Sequence, residues 1–180
     1  MSHIDGSEII RASVWLRPTG EALERISKVM RAIHEHGGGP QVPPHVTLLN
    51  GAETTRASAE LKLKHLAARI RPFRIKLGKI ESAGEYFRSL YALVEANGDL
   101  AAAQRDAYAA FEMKPAPPYA PHLSLLYGKL DAAAGAKLAA DAGGRLDIAF
   151  EVRALYLVNA TQGVPVADWR TLAEHALAGA

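Results

Sequence analysis

Apolar positions in this chain switch between a spacing of two and a spacing of three to four, and the switches mark out the elements. Glu8–Arg17 is rich in β-formers and stops at Pro18, which reads as a strand. Thr19 then caps a helix whose apolar residues Leu23, Ile26, Met30 and Ile33 recur at helical spacing until Gly37–Gly39. Pro40, Pro43 and Pro44 force an extended entry into a short strand, His45–Leu49, closed by Asn50-Gly51. The spacing predicts a helix over Thr55–Ile70, with Leu61, Leu66 and Ile70 on or near one side and Pro72 as its stop. Phe73–Ser82 alternates Phe73, Ile75 and Leu77 against Arg74 and Lys76, the pattern of a half-buried strand. Ala83-Gly84 turns into a second strand over Tyr86–Ala96, and Asn97-Gly98-Asp99 opens an alanine-rich helix that runs to about Phe111. The proline-dense loop Pro115–Pro121 leads to a strand at His122–Tyr127. A helix near Asp131–Asp141, a long strand near Asp147–Asn159 and a packing segment at Trp169–Leu177 follow.

Strands that follow one another as hairpin-like pairs between helices are too mixed for a doubly wound parallel sheet, so the expected class is α+β. One feature organises the order further. Pro44-His45-Val46-Thr47-Leu48-Leu49 is echoed 77 residues later by Pro121-His122-Leu123-Ser124-Leu125-Leu126, and each copy follows a proline-containing loop and precedes a helix. A repeated unit of this kind suggests two similar lobes, related by a pseudo-twofold, that bring the copies face to face. A single domain over residues 1–180 accommodates both lobes, since 180 residues suffice to bury a shared core.

Composition narrows the chemistry. Hydrophobic residues make up 49% of the chain, which argues against disorder. Without cysteine there is no disulfide scaffold, no Cys nucleophile and no thiolate zinc site. No apolar run approaches a membrane span, and Met1 to Arg11 lacks the apolar stretch of a signal peptide, so a soluble, cytoplasmic monomer with no membrane partner is expected. The net charge of +2 hides an asymmetry: Arg56–Lys79 carries +7, and the rest of the chain −5. That stretch is either a solvated face or a basic patch that steers phosphate-bearing substrates.

The repeated unit carries the candidate chemistry. On a strand, residues i and i+2 share a face, so His45 pairs with Thr47 and His122 with Ser124, while Val46, Leu48, Leu123 and Leu125 point to the apolar side. Two imidazoles and two hydroxyls would then converge on a small anion. Imidazole titrates near neutrality, so one can act as base on an attacking water and the other as acid toward the leaving oxygen of a phosphodiester. The hydroxyls would meet the non-bridging oxygens as charge builds there, and no metal or cofactor is needed.

In these motifs the chain resembles the 2H phosphoesterase superfamily, and within it the cyclic phosphodiesterase branch known from plants and yeast. The resemblance runs through Ser13-Val14-Trp15 with Pro18, His45-Val46-Thr47-Leu48, Tyr86-Phe87-Arg88 to Tyr91, and Pro121-His122-Leu123-Ser124-Leu125-Leu126-Tyr127-Gly128. Tyr127-Gly128 favours this branch over the RNA-ligase-like one. The resemblance implies a bilobal fold with antiparallel sheets facing a central cleft and helices outside. It also implies metal-independent opening of nucleoside 2′,3′-cyclic phosphates and ADP-ribose 1″,2″-cyclic phosphate. By analogy His122 would be the base, His45 the acid, and Thr47, Ser124 and Tyr127 the phosphate-binding groups. Plant members carry cysteines and this chain has none, so redox control through them is unavailable here.

Tyr127 sits awkwardly in this scheme. Five residues beyond His122, a regular strand would turn it to the opposite face, so either the strand breaks near Leu126 or Tyr127 does not reach the phosphate. Trp15 is open to two readings, a platform for a base or ribose or a buried core ring. Tyr86 and Phe87 either cover the substrate or pack across a hairpin. Gly37-Gly38-Gly39 reads as a flexible linker, and His34 and His36 as favourable charges at a helix end. His3, His65 and His175 read as surface residues, and Trp169 as packing for the C-terminal segment. Two other functions compete with the small-substrate reading. One is an enzyme acting on RNA ends with a 2′,3′-cyclic phosphate or on 2′-5′ linked oligonucleotides, supported only by the basic stretch. The other is a nucleotide-binding module without turnover.

Overall fold

The computed structural model describes residues 7–114, 119–160 and 164–180; His3 and most of the Pro115–Pro121 loop lie outside them. The elements run β1 (Ile9–Leu16), α1 (Gly20–Gly37), β2 (Val46–Thr55), α2 (Arg56–Ala67), β3 (Phe73–Glu81), β4 (Leu90–Val94), α3 (Gly98–Ala110), β5 (His122–Leu126), α4 (Ala132–Asp141), β6 (Ala149–Val152), β7 (Ala154–Asn159) and β8 (Arg170–Ala176). The class is α+β.

Local chemistry explains the helix boundaries. Thr55, Asn97 and Asp131 each accept a bond from a backbone N–H three residues on, opening α2, α3 and α4. Thr19 precedes α1 without such a bond, while the Gly38 N–H closes that helix on the His34 carbonyl at 3.0 Å. The buried stripe of α2 runs through Ala59, Leu63, Leu66 and Ala67, not Leu61, which is 55% exposed. Steps of three and four from Ala59 land on Leu63 and Leu66, and Leu61 falls between them on the solvent side.

The strands form one curled antiparallel sheet in the order β6-β3-β4-β5-β2-β1-β7-β8. Its halves mirror one another: β1-α1-β2-α2 in one repeats as β4-α3-β5-α4 in the other, and β2 meets β5 at the centre. The helices are exchanged, with α1 packing against β5 and α3 against β2. At the seam Val46 pairs with Leu123, and both side chains are fully buried. Burying such a residue contributes roughly 1.5–3 kcal/mol, so the seam is also part of the core.

Several expected boundaries move. Asn50-Gly51 does not close β2. The register steps from Ala12↔Ala52 to Val14↔Leu49, an extra residue on β2, and Gly51 takes a φ of +80° that suits a bulge inside a continuing strand. The strand expected over Tyr86–Ala96 shrinks to Leu90–Val94, because Glu85–Arg88 folds into a tight turn closed by the Arg88 N–H on the Glu85 carbonyl at 2.9 Å. The long strand near Asp147–Asn159 is two strands divided at Arg153, one paired with β3 and the other with β1 and β8. The C-terminal packing segment is the edge strand β8.

Candidate active site

Directly opposed residues on neighbouring strands share a face, so Val46 and Leu123 on the apolar side send His45, Thr47, His122 and Ser124 to the other. All four line one cleft of about 800 Å³. The same rule carries over to the flanking strands: Trp15 opposes Thr47, and Tyr91 opposes Ser124.

Each imidazole is held in the same way. His45 Nδ1 lies 2.7 Å from the Pro43 carbonyl, and His122 Nδ1 lies 2.9 Å from the Ala120 carbonyl, in both cases two residues back. A carbonyl only accepts, so Nδ1 carries the hydrogen and donates it, leaving Nε2 to take or give a proton. Behind each imidazole stands an aromatic ring, and beside each ring an arginine. Trp15 stacks on His45 with centroids 3.5 Å apart and planes at 8°, and the Arg17 guanidinium lies 5.2 Å from the Trp15 ring. Tyr91 meets His122 edge to face at 5.3 Å, and the Arg88 guanidinium lies 4.7 Å from Tyr91. The pseudo-twofold therefore extends beyond the repeated motif to Trp15 and Tyr91, but not to the arginines, since Arg17 follows its ring by two residues and Arg88 precedes its ring by three.

The electrostatics are less symmetric. Burial pushes the His45 imidazole down to about 4, against the upward pull of the Pro43 carbonyl and with the Arg17 and His122 charges adding to the fall. Burial also lowers His122, and there Arg88 lowers further while Glu85 and the Ala120 carbonyl oppose. Both imidazoles are neutral in the free protein near pH 7. His45 is only 5% exposed, and His122 is the more accessible of the two.

The hydroxyls and the surrounding rings complete the wall. Ser124 Oγ donates to the Phe87 carbonyl at 3.0 Å, the Gly128 N–H donates to the Tyr86 carbonyl at 3.0 Å, and the Ser89 hydroxyl donates to the Gly128 carbonyl. The turn carrying Tyr86 and Phe87 is thereby tied to the end of β5. Phe87 packs against Tyr127 and Trp169, and Tyr86, 42% exposed, stands at the rim. β5 ends at Leu126, so Tyr127 escapes the alternation and turns into the cleft beside Ser124; burial pushes its phenol up to about 12. Trp15, 2% exposed, offers its face to His45 and its edge region to Trp169, which leaves a base or ribose little of the ring to stack on. Trp169 does more than pack the C-terminal segment, since it lines the cleft and touches rings from both halves.

Some lining residues escaped the sequence reading, namely Asn50, Glu85, Tyr108 and Tyr119, while Arg88 entered it only through the resemblance and with no role. Asn50 follows the motif closely enough to be found, had the bulge been foreseen. The others come from other elements and leave no periodic signal. None of residues 56–79 lines the cleft, and α2 packs behind the sheet against β7 and β8. Arg56, Lys62, Lys76 and Lys79 are moreover ion-paired with Glu60, Glu112, Glu95 and Glu81. Among the described residues, no three His, Asp or Glu side chains gather as a metal would require. No helix among them is long and apolar enough to cross a membrane.

Comparison with known proteins agrees with this geometry. The chain is 27% identical over 118 residues to a cyclic phosphodiesterase of Arabidopsis thaliana, a match that takes in 66% of this chain and 65% of the relative's length. A crystal structure of a Thermus thermophilus protein superposes with a TM-score of 0.64 at 18% identity, covering 94% of this chain and 99% of that one. Escherichia coli LigT complexed with 3′-AMP superposes with a TM-score of 0.63 at 20% identity and the same coverage. The family described as the 2′-5′ RNA ligase superfamily matches residues 11–163, nearly the whole of the sheet and most of the cleft. With both histidine motifs inside that span, the chain belongs to the 2′-5′ RNA ligase superfamily, the 2H phosphoesterases.

Proposed function

We propose that this protein hydrolyses small cyclic phosphodiesters, nucleoside 2′,3′-cyclic phosphates and ADP-ribose 1″,2″-cyclic phosphate among them, to a phosphomonoester without a metal. The observation that carries the reading is the matched pair of imidazoles, each oriented by a carbonyl so that Nε2 is the reactive nitrogen. The similarity to the Arabidopsis cyclic phosphodiesterase supports the substrate class.

In this mechanism His122 Nε2 removes a proton from water, whose oxygen forms the new bond to phosphorus. One ring P–O bond breaks, and His45 Nε2–H protonates the departing oxygen, which stays on the ribose. Thr47 and Ser124 donate to the non-bridging oxygens, Ser124 by turning away from the Phe87 carbonyl, with the Tyr127 phenol beside it. His122, the more accessible imidazole, is the better placed to reach bulk water.

An acid held near 4 in the free protein must gain its proton with the substrate. A phosphodiester anion about 4 Å away contributes about 4 kcal/mol at an effective dielectric of about 20. That is about three pKa units, enough to bring His45 back toward neutrality. The Trp15 face beneath it adds roughly 0.5–2 kcal/mol in favour of the imidazolium.

The experiment is hydrolysis of 2′,3′-cyclic AMP in EDTA, with products identified by phosphorus NMR. Loss of about 10²–10⁴ in turnover is expected in either His45→Ala or His122→Ala. Full activity in one of them, or binding without turnover in the wild type, would rule the mechanism out. The RNA reading is weakened, because none of residues 56–79 lines the cleft and four of the eight Lys and Arg side chains in that stretch are ion-paired.

A further inference from the structure

The cleft holds one permanent cation that the proposed reaction does not use. Among the described lining residues Arg88 is the only lysine or arginine, and Glu85 the only carboxylate. A second arginine, Arg17, lies beside the other ring, but the pseudo-twofold does not relate the two: with Trp15 opposite Thr47 and Tyr91 opposite Ser124, Arg17 follows its ring by two residues and Arg88 precedes its ring by three. Arg17 donates to Thr171 Oγ1 at 2.8 Å, lies over the Tyr156 ring and feels the Glu174 charge, although its Nε, like that of Arg88, is buried without a partner. Among the described residues the Arg88 guanidinium has no hydrogen bond and no ion pair, and its Nε is buried without a partner. Its one ring contact is Tyr91, at 4.7 Å. A half-buried guanidinium with open donors, fixed on an aromatic face at a cavity wall, is a bidentate site waiting for an anion.

That anion need not be the reacting phosphate. Two hydroxyls and two imidazoles already surround the reaction centre, and Arg88 enters the cleft from the Glu85–Arg88 turn against the Tyr91 ring, close enough for its charge to act on His122. A volume of about 800 Å³ lies in the upper part of the range for small-molecule sites, with room for more than a cyclic mononucleotide. Building on the phosphodiesterase reading, we propose that Arg88 forms a subsite for a second phosphate of the substrate, so that the enzyme prefers cyclic phosphates bearing a further phosphate group. Glu85, at the other end of the same turn, repels an anion that strays from Arg88 and so sharpens its placement.

Binding tests this without turnover. Adenosine 2′-monophosphate and adenosine 2′,5′-bisphosphate are titrated calorimetrically into the wild type, Arg88→Gln and Arg88→Lys at low salt, and each variant's thermal midpoint is recorded. The bisphosphate should bind the wild type at least tenfold more tightly. Arg88→Gln should bring that ratio close to one, and Arg88→Lys should keep part of it as a point charge. Equal affinity of the two ligands in the wild type, an undiminished ratio in Arg88→Gln, or no measurable binding of the bisphosphate would each overturn the subsite. Hydrolysis of 2′,3′-cyclic AMP is assayed in parallel. Turnover without a bisphosphate preference refutes Arg88 alone, whereas a preference without turnover refutes the hydrolytic reading alone.

Discussion

His45 shows how burial sets both stability and chemistry at one residue. Its folded pKa of about 4 lies below the unfolded value near 6.5, so the unfolded chain binds the proton more readily. Stability contributed by the neutral ring is complete above about pH 6.5 and falls as pH drops toward 4, by about 3 kcal/mol over the window. Urea midpoints at pH 7 and pH 4.5 should therefore differ more in the wild type than in His45→Gln, and identical differences would contradict the buried neutral imidazole. In the proposed mechanism Trp15 is a positioning residue, and its signature is different. Trp15→Leu should move the basic limb of the kcat–pH profile to lower pH, because the imidazolium of the complex loses its indole face. A uniform drop in kcat with unmoved limbs would mean that Trp15 only packs. The histidines, Thr47 and Ser124 were legible in the chain because a period of two is a local rule. Trp15 and Tyr91 were marked by the resemblance, but their place behind the imidazoles was not legible, since they meet them across strands whose register no local pattern specifies.

Among the elements, the end of α1 is tightly constrained. Gly37-Gly38-Gly39 reads in sequence as a linker and is in fact a close fit. A Cβ on Gly39 would come 2.1 Å from the Tyr127 carbonyl, and one on Gly37 would come 2.6 Å from the Leu126 side chain. Gly39 also takes a φ of +83°. Gly39→Ala should cost about 1–3 kcal/mol from the left-handed backbone alone, with the clash added, and should lower turnover through Tyr127. Denaturant titration and the cyclic AMP assay read the two effects, and a variant as stable and active as the wild type would contradict the fit. Elements whose ends carry a side-chain cap or a proline were the readable ones, as Asn97 and Asp131 show. Asn50-Gly51 misled because the same dipeptide serves a turn and a bulge, and only the partner strand decides between them.

For the whole molecule, the repeat of Pro-His-x-Thr/Ser-Leu-Leu was enough to anticipate two related halves, while the single sheet order and the exchange of α1 and α3 depend on packing that no motif encodes. The basic stretch gives a further test. Lys64 and Arg69 lie on or just beyond α2, behind the sheet, so Lys64→Gln with Arg69→Gln should leave kcat/KM for 2′,3′-cyclic AMP and its salt dependence within about twofold. A marked fall would return steering to that face. The run from Ala149 to Asn159 has a larger consequence. Its first four residues are zipped to β3 and its last six to β1 and β8, with Arg153 alone between them. One ribbon thus rivets the back of the molecule, so the jaws cannot gape without peeling backbone pairs from one side or the other. The span between the imidazoles is gauged in advance, like a calliper with a welded spine, and a ligand must suit the gap it finds.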